Sequence, residues 1–342
     1  MTENILVTGA NGFLSSHVIA ELLAKGYNVR ATLRNLAKSN EVITTMENNQ
    51  VPHIDRLNFV KADLSADIGW AEAMTGIDRV ISIASPVFMT IPDNPDEMGR
   101  AATDGIIKIL KAAIAANVKQ VVMTANFGAI GFSNLDKNSV TTEADWTNPD
   151  QPGLSLYEKS KLIAERAAWD FINSQNTAMQ FTTINPVAIL GPSMNNHTSG
   201  SFGIIKTIMD GSSKFIPKIN LNVIDVRDVA SIHVATLGNK KAYGQRFIAS
   251  STGSISMPEI ATLTRRKRPE LAPQIANKTI PNWIIKSLAP FSSYAKEGKL
   301  MLGMNRNISV EKAKKLLNWQ AKYSKEAAVL AAVDTLVKTK QI

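Results

Sequence analysis

Short apolar runs recur through the first half of the chain, separated by stretches in which apolar residues return at helical spacing. Asn4 to Thr8 and Asn28 to Leu33 read as buried strands. Between them Leu14, Val18, Ile19, Leu22 and Leu23 mark one face of a helix over 13–25, which Gly26 ends. Leu57 to Lys61, Arg79 to Ala84, Gln120 to Thr124 and Gln180 to Asn185 predict four more strands. Further helices are predicted over 105–116, striped by Ile106, Ile109, Leu110 and Ala113, and over 155–175. This alternation implies an α/β fold with a doubly wound parallel sheet, whose ligands lie at the carboxyl ends of the strands. Those ends are Gly9, Arg34, Asp63, Ala84, Thr124 and Pro186.

After Pro186 the pattern changes. Residues 191–200 are rich in Gly, Pro, Asn and Ser and read as a loop. Phe202 to Met209 predicts a helix, Asn222 to Ile224 a strand, Asp225 the start of another helix, and Arg246 to Ala249 a last strand. Beyond Ser250 the chain reads as mostly helical, interrupted by prolines. The expected organisation is a nucleotide-binding Rossmann domain from 1–187 and 218–250. A smaller, mostly helical substrate lobe would combine 188–217 with 251–342.

Composition narrows the chemistry. The 342 residues include no cysteine, which excludes disulfides, thiolate metal sites and a cysteine nucleophile. The four histidines are scattered, without metal-ligand spacing. Net charge is +9. The basic run Arg265 to Arg268 has no interleaved aromatic residues and reads as a solvated helix end rather than a nucleic-acid site. The positive balance favours an anionic cofactor. No secretion signal is visible, and no run of ~18 apolar residues could span a membrane. A cytoplasmic protein acting on a small molecule is expected, with no membrane partner.

Two motifs carry the candidate chemistry. The first is Val7-Thr8-Gly9-Ala10-Asn11-Gly12-Phe13-Leu14-Ser15, between strand and helix. Gly9 allows a tight turn, Gly12 lets backbone approach a pyrophosphate, and the helix N-terminus offers N–H groups and partial positive charge. Ser15 stands where a third glycine usually permits close packing. The second strand ends at Arg34, with Lys38 following and no acid before Glu41. Two cations there suit a 2′-phosphate, which favours NADP(H) over NAD. The second motif is Tyr157 and Lys161, four apart on one helical face. A lysine ammonium beside a phenol is expected to lower its pKa from ~10 and make it a usable acid.

With both motifs in order, the chain resembles an extended short-chain dehydrogenase/reductase, and within that group the dihydroflavonol-reductase-like branch of NADPH-dependent aldehyde and ketone reductases. The resemblance rests on Val7 to Leu14, Arg30 to Arg34, Lys61 to Leu64, Ala84 to Pro86, Tyr157 to Lys161, Asn185-Pro186 with Gly191-Pro192, and Asp225 to Val229. It implies that Thr8, Gly9, Gly12, Phe13 and Leu14 line the pyrophosphate turn, Arg34 and Lys38 hold the 2′-phosphate, and Asp63 and Leu64 flank the adenine. Ala84, Ser85 and Thr124 would follow the cofactor, and Pro186, Val187 and Ile189 would border the nicotinamide. Tyr157 would be the proton donor and Lys161 its electrostatic and positioning partner.

One position departs from that pattern. Where the family ends its fifth strand in Thr-Ser-Ser, this chain has Thr124-Ala125-Asn126, so Asn126 occupies the place of the serine that hydrogen-bonds the substrate carbonyl. An amide can also donate that bond. Val87, Phe88, Phe127, Ile130, Phe132, Met194, Phe202 and Ile205 are the candidate substrate wall, which points to an apolar or aromatic aldehyde or ketone. Asn126 keeps open a catalytically impaired NADP(H)-binding regulatory protein. The shared fold keeps open a nucleotide-sugar epimerase or dehydratase. The resemblance is compatible with a monomer or a homodimer.

Overall fold

The apolar runs build the sheet they predict. A computed structural model describes residues 2–85, 95–211 and 213–342. Six strands, β1 (Asn4–Val7), β2 (Asn28–Leu33), β3 (Leu57–Lys61), β4 (Arg79–Ser82), β5 (Gln120–Thr124) and β6 (Gln180–Pro186), join Gln245–Ala249 in a seven-stranded sheet. Every pairing is parallel. The order across the sheet is Gln245–Ala249, β6, β5, β4, β1, β2, β3. Strand order therefore reverses between β1 and β4, where a doubly wound sheet opens a crevice for its ligand.

Helices cover both faces: α1 (Phe13–Ala24), α2 (Ser39–Asn48), α3 (Trp70–Met74), α4 (Pro95–Ala115), α5 (Gly128–Gly131) and α6 (Leu156–Ser174). The period of two along each strand divides the core. Ile5, Val7, Ile81 and Val122 pack on the α1 side, whereas Leu6, Val80, Val121 and Met123 pack under α3, α4 and α6. Burial on both faces is why these strands are continuously apolar rather than alternating.

The second half holds β7 (Ala188–Leu190), α7 (Phe202–Met209) and α8 (Val226–Thr236). Short pairings stitch its segments together: 215–217 with 278–280, 220–221 with 255–256, and β7 with 223–225. The helix Lys325–Lys338 places Ala328, Val329, Ala332, Val333 and Leu336 in the same core cluster as α1. The helical C-terminal part thus shares one continuous core with one face of the sheet.

Three boundaries differ from the sequence reading, each for a local reason. The helix expected over 105–116 begins at Pro95. Gly99 and Gly105 lie where that helix passes close to Ile163 and Leu64. The strand expected to reach Ala84 ends at Ser82, because the N–H groups of Ile83 and Ala84 both donate to the Thr8 hydroxyl (2.9 and 2.8 Å) instead of continuing the ladder. The strand read at 222–224 lies at 223–225, and the Asn222 amide donates to the carbonyls of Gly253 and Arg306.

Candidate active site

The glycine turn sits at the reversal of strand order. Gly9 has φ +74°, and a Cβ added there would lie 3.1 Å from the Ala84 side chain, so only glycine fits. Its N–H donates to the Thr32 hydroxyl (3.0 Å), and the Ala10 N–H donates to the Thr32 carbonyl (2.9 Å). Gly12 is the N-cap of α1 and supplies no side-chain cap, and the first turn carries no acid. The N–H groups opening α1 are therefore left to an external anion, which fits a dinucleotide pyrophosphate. Ser15 takes the third glycine's place without obstruction: it is buried, and its hydroxyl donates to the Thr8 carbonyl (3.3 Å).

Arg34 and Lys38 follow β2 on the exposed surface, and neither makes an ion pair among the described residues. The Asp63 carboxylate accepts from the Ser65 N–H and hydroxyl, which hold its pKa below the usual range, with Arg34 and Lys108 adding to the effect. Arg34 and Asp63 thus share one electrostatic neighbourhood beside the turn.

The second half of the site lies at the end of β5 and the start of α6. The Ala125 and Phe127 N–H groups donate to the carbonyls of Ile184 and Pro186 on β6, which fixes the backbone on either side of Asn126. The Asn126 Oδ1 accepts from the Gly128 N–H (2.5 Å). With its oxygen engaged, the amide keeps its NH2 unspent near Tyr157, whose pKa Asn126 lowers. Ser155 caps α6, its hydroxyl accepting from the Glu158 N–H, and so sets Tyr157 in the first turn. Lys161, one turn on, places its ammonium 5.5 Å from the centroid of the Tyr157 ring.

The electrostatics correct one expectation. The Tyr157 pKa is raised, not lowered: its ring presents half its surface (52%), but protein around the hydroxyl disfavours the phenolate, and Glu158 adds to this. The group that pulls the value back is Asn126. Lys161 lies over the ring rather than against the oxygen, and burial brings its own pKa down to about 8. Burial, with Glu297 adding like charge, pushes Glu158 up to about 7.

The structure scatters the expected substrate wall. Phe127, Ile130, Phe202 and Ile205 are buried in the core; the Phe202 ring stacks edge-on against Phe13 (5.3 Å), so these side chains have almost no surface to offer a ligand. Phe132 and Met194 are partly buried. Val87 and Phe88 lie outside the described residues. Pro186 and Val187 are buried at the end of β6, Ile189 lies in β7, and Leu64 packs against α4 at Gly105. A cavity of about 510 Å³ lined by Pro258, Thr262, Arg266 and Lys325 shares no residue with this constellation.

Sequence reasoning missed several neighbours. His233, fully buried on α8, stands behind Thr124. Its Nδ1 faces the Val229 carbonyl (2.7 Å) and so carries the proton, which leaves Nε2 to accept from the Thr124 hydroxyl (2.8 Å). Asn195 reaches back from the 191–200 loop, its amide donating to the Asn11 carbonyl and the Ser16 hydroxyl. Glu165 is a buried carboxylate on the stripe that carries Tyr157 and Lys161; an acid on an otherwise inward-facing stripe was the available signal.

The profile of the NAD dependent epimerase/dehydratase family matches residues 5–248. The chain belongs to that family. Among similar proteins, cinnamoyl-CoA reductase 1 of Petunia hybrida is 34% identical over 251 residues, covering 72% of each chain. Anthocyanidin reductase of Vitis vinifera is 27% identical over 279 residues, 77% of this chain and 80% of that one. Gre2 of Candida albicans, solved in complex with NADPH, superposes with a TM-score of 0.81 at 27% identity over 98% of this chain and 99% of that one. Within the family the chain falls among the extended short-chain dehydrogenases/reductases of the dihydroflavonol-reductase-like branch. Among the described residues no helix is long and apolar enough to cross a membrane, and no cluster of acids and histidines could hold a metal ion.

Proposed function

We propose that this NADPH-dependent oxidoreductase reduces an apolar or aromatic aldehyde or ketone, with Tyr157 as the proton donor. The observation that carries the reading is the grouping of Lys161, 5.5 Å from the centroid of the Tyr157 ring, with Asn126, whose oxygen is tethered to the Gly128 N–H and whose amide acts on the same phenol. Bound along that turn, NADPH supplies the hydride that reduces the carbonyl carbon. The chain's own residues do the rest. Arg34 and Lys38 hold the 2′-phosphate, and the opening N–H groups of α1 hold the pyrophosphate. Asn126 has two amide protons to offer: one can serve the Tyr157 oxygen and the other the carbonyl oxygen, where negative charge develops. Tyr157, kept protonated at neutral pH by its raised pKa, gives its proton to that oxygen. Lys161 would orient the ribose, and its charge over the Tyr157 ring would offset the negative charge left behind.

The relatives named for cinnamoyl-CoA and anthocyanidin reduction support an aromatic substrate. An amide donor kept near the phenol speaks against a catalytically impaired protein, and the Arg34 and Lys38 pair against an epimerase that retains NAD. NADPH oxidation across a panel of aromatic and aliphatic aldehydes, ketones and diketones tests the reading. Turnover by the wild type is expected, preferring NADPH to NADH. Tyr157→Phe should lower it by roughly 10³-fold or more while leaving NADPH binding intact. Full turnover by Tyr157→Phe would remove Tyr157 from the chemistry.

A further inference from the structure

Behind the catalytic face of α6 lies a fully buried polar network that the proposed chemistry does not use directly. Glu165 is 0% exposed and sits two turns beyond Tyr157. Its Oε1 accepts from Arg246 Nε (2.8 Å) and lies 3.0 Å from the Thr183 hydroxyl. Its Oε2 accepts from the amide of Asn185 (2.7 Å). Asn185, also 0% exposed, stands next to last on β6. The same amide nitrogen donates to the backbone carbonyl of Asn126 (3.2 Å). Arg246 is fixed in turn by the carbonyls of Glu143 and Asp145 and by stacking on Trp146 (3.6 Å).

Burying an ion pair is a poor route to stability, since apolar residues of similar volume often do as well or better. What this network supplies is a fixed distance. Tyr157 and Glu165 ride on one rigid helix, and Asn185 connects that helix to the backbone of the residue that must meet Tyr157. We propose that Glu165 and Asn185 are positioning residues that set the Asn126 amide against the Tyr157 hydroxyl. The role in turnover rests on the reductase reading; the placement of Asn126 does not.

The test therefore needs a readout independent of substrate. Protein labelled with fluorotyrosine brings the phenols into an accessible pH range, and Tyr157→Phe assigns one of the five tyrosine resonances by ¹⁹F NMR. Glu158 and Lys161 are the charged groups beside this phenol, and both stay unchanged in every variant. Asn126→Ala should raise the Tyr157 pKa by roughly one pH unit, the scale of a lost hydrogen bond to a charged group. Asn185→Leu keeps the Glu165–Arg246 pair but cannot bridge, and should raise it by a similar amount. The double variant should go no further than either single one, because both act through the same amide. Asn185→Thr, which carries one short donor, serves if Asn185→Leu does not fold.

In turnover, Asn185→Leu should lower kcat by about 10- to 100-fold with KM changed less than about twofold. A folded Asn185 variant with the Tyr157 titration unmoved, or shifts that add in the double variant, would overturn the proposal and leave the network structural. If the wild type turns over no carbonyl but the titrations behave as stated, the reductase reading fails and the positioning role stands.

Discussion

The segments that follow β1 and β5 each carry one residue that departs from the pattern the resemblance implies, and the structure treats them differently. In the first turn of α1, beyond β1, Ser15 is buried and spends its hydroxyl on the Thr8 carbonyl; nothing of the substitution faces the ligand. At the end of β5, Asn126 spends only its oxygen, on the Gly128 N–H, and keeps its NH2 beside Tyr157. The first departure is absorbed into packing. The second stays in the chemistry, because a longer side chain with two donors can replace a hydroxyl when one end is tethered. Whether a departure matters thus depends on which of its polar atoms remain unspent.

Asn126→Ala attacks that difference most directly. It removes the tethered donor, and kcat should fall by about 10²-fold, as when an oxyanion donor is lost. Asn126→Ser should restore most of the rate, since it returns the family's own group. A fall confined to KM would show that the amide binds substrate without favouring the transition state.

His233 supports Thr124, two residues before Asn126, and makes the β5 end sensitive to acid. Burial lowers its pKa to about 4 from the ordinary histidine value of 6.5. Between those values the unfolded chain takes up a proton that the folded chain refuses, so this group's contribution is complete above pH 6.5 and is lost as pH falls toward 4. At pH 5 the loss is on the order of 2 kcal/mol. His17, lowered to about 4, acts with the same sign, and Glu158, raised to about 7, with the opposite one. The measurement is therefore a difference: urea unfolding of wild type and His233→Gln at pH 7 and pH 5. The variant's stability should change less between the two pH values.

Gly128→Ala probes the tether itself. An added Cβ would lie 2.7 Å from Asn126 Oδ1 and 2.9 Å from Glu158 Cγ, both on side chains that can move. The fold should survive while the amide is displaced, giving a roughly 10-fold loss in kcat at nearly unchanged Tm. Unchanged kcat would mean that the amide finds Tyr157 without the tether.

Much of this was legible in the sequence where local physics decides. β2, β3, β5 and α7 fall where their apolar runs put them, and the glycine turn has the context its spacing implied. What stayed hidden depends on residues far apart in the chain. α4 starts early and passes close to Ile163 and Leu64 at Gly99 and Gly105, and the early end of β4 follows from Thr8, just past β1. The partners of Glu165 come from β6 and the last strand of the sheet. Part of the apolar wall went into the core for a related reason: Phe202 is as hydrophobic as a pocket residue should be, but hydrophobicity alone does not separate pocket from core.

The smallest effect belongs to the other side of the comparison. Ser15→Gly restores the family residue at the glycine turn and removes a long, buried hydrogen bond to Thr8. Glycine in the first turn of α1 also gains freedom in the unfolded chain. Together these should cost no more than about 1 kcal/mol, seen as a slight fall in Tm. The affinity for NADPH should not change, because the Ser15 hydroxyl points at Thr8 and the turn's shape rests on Gly9 and Gly12. A several-fold change in NADPH affinity would show instead that Ser15 shapes the pyrophosphate turn, and the two departures would then be alike in acting on the ligand.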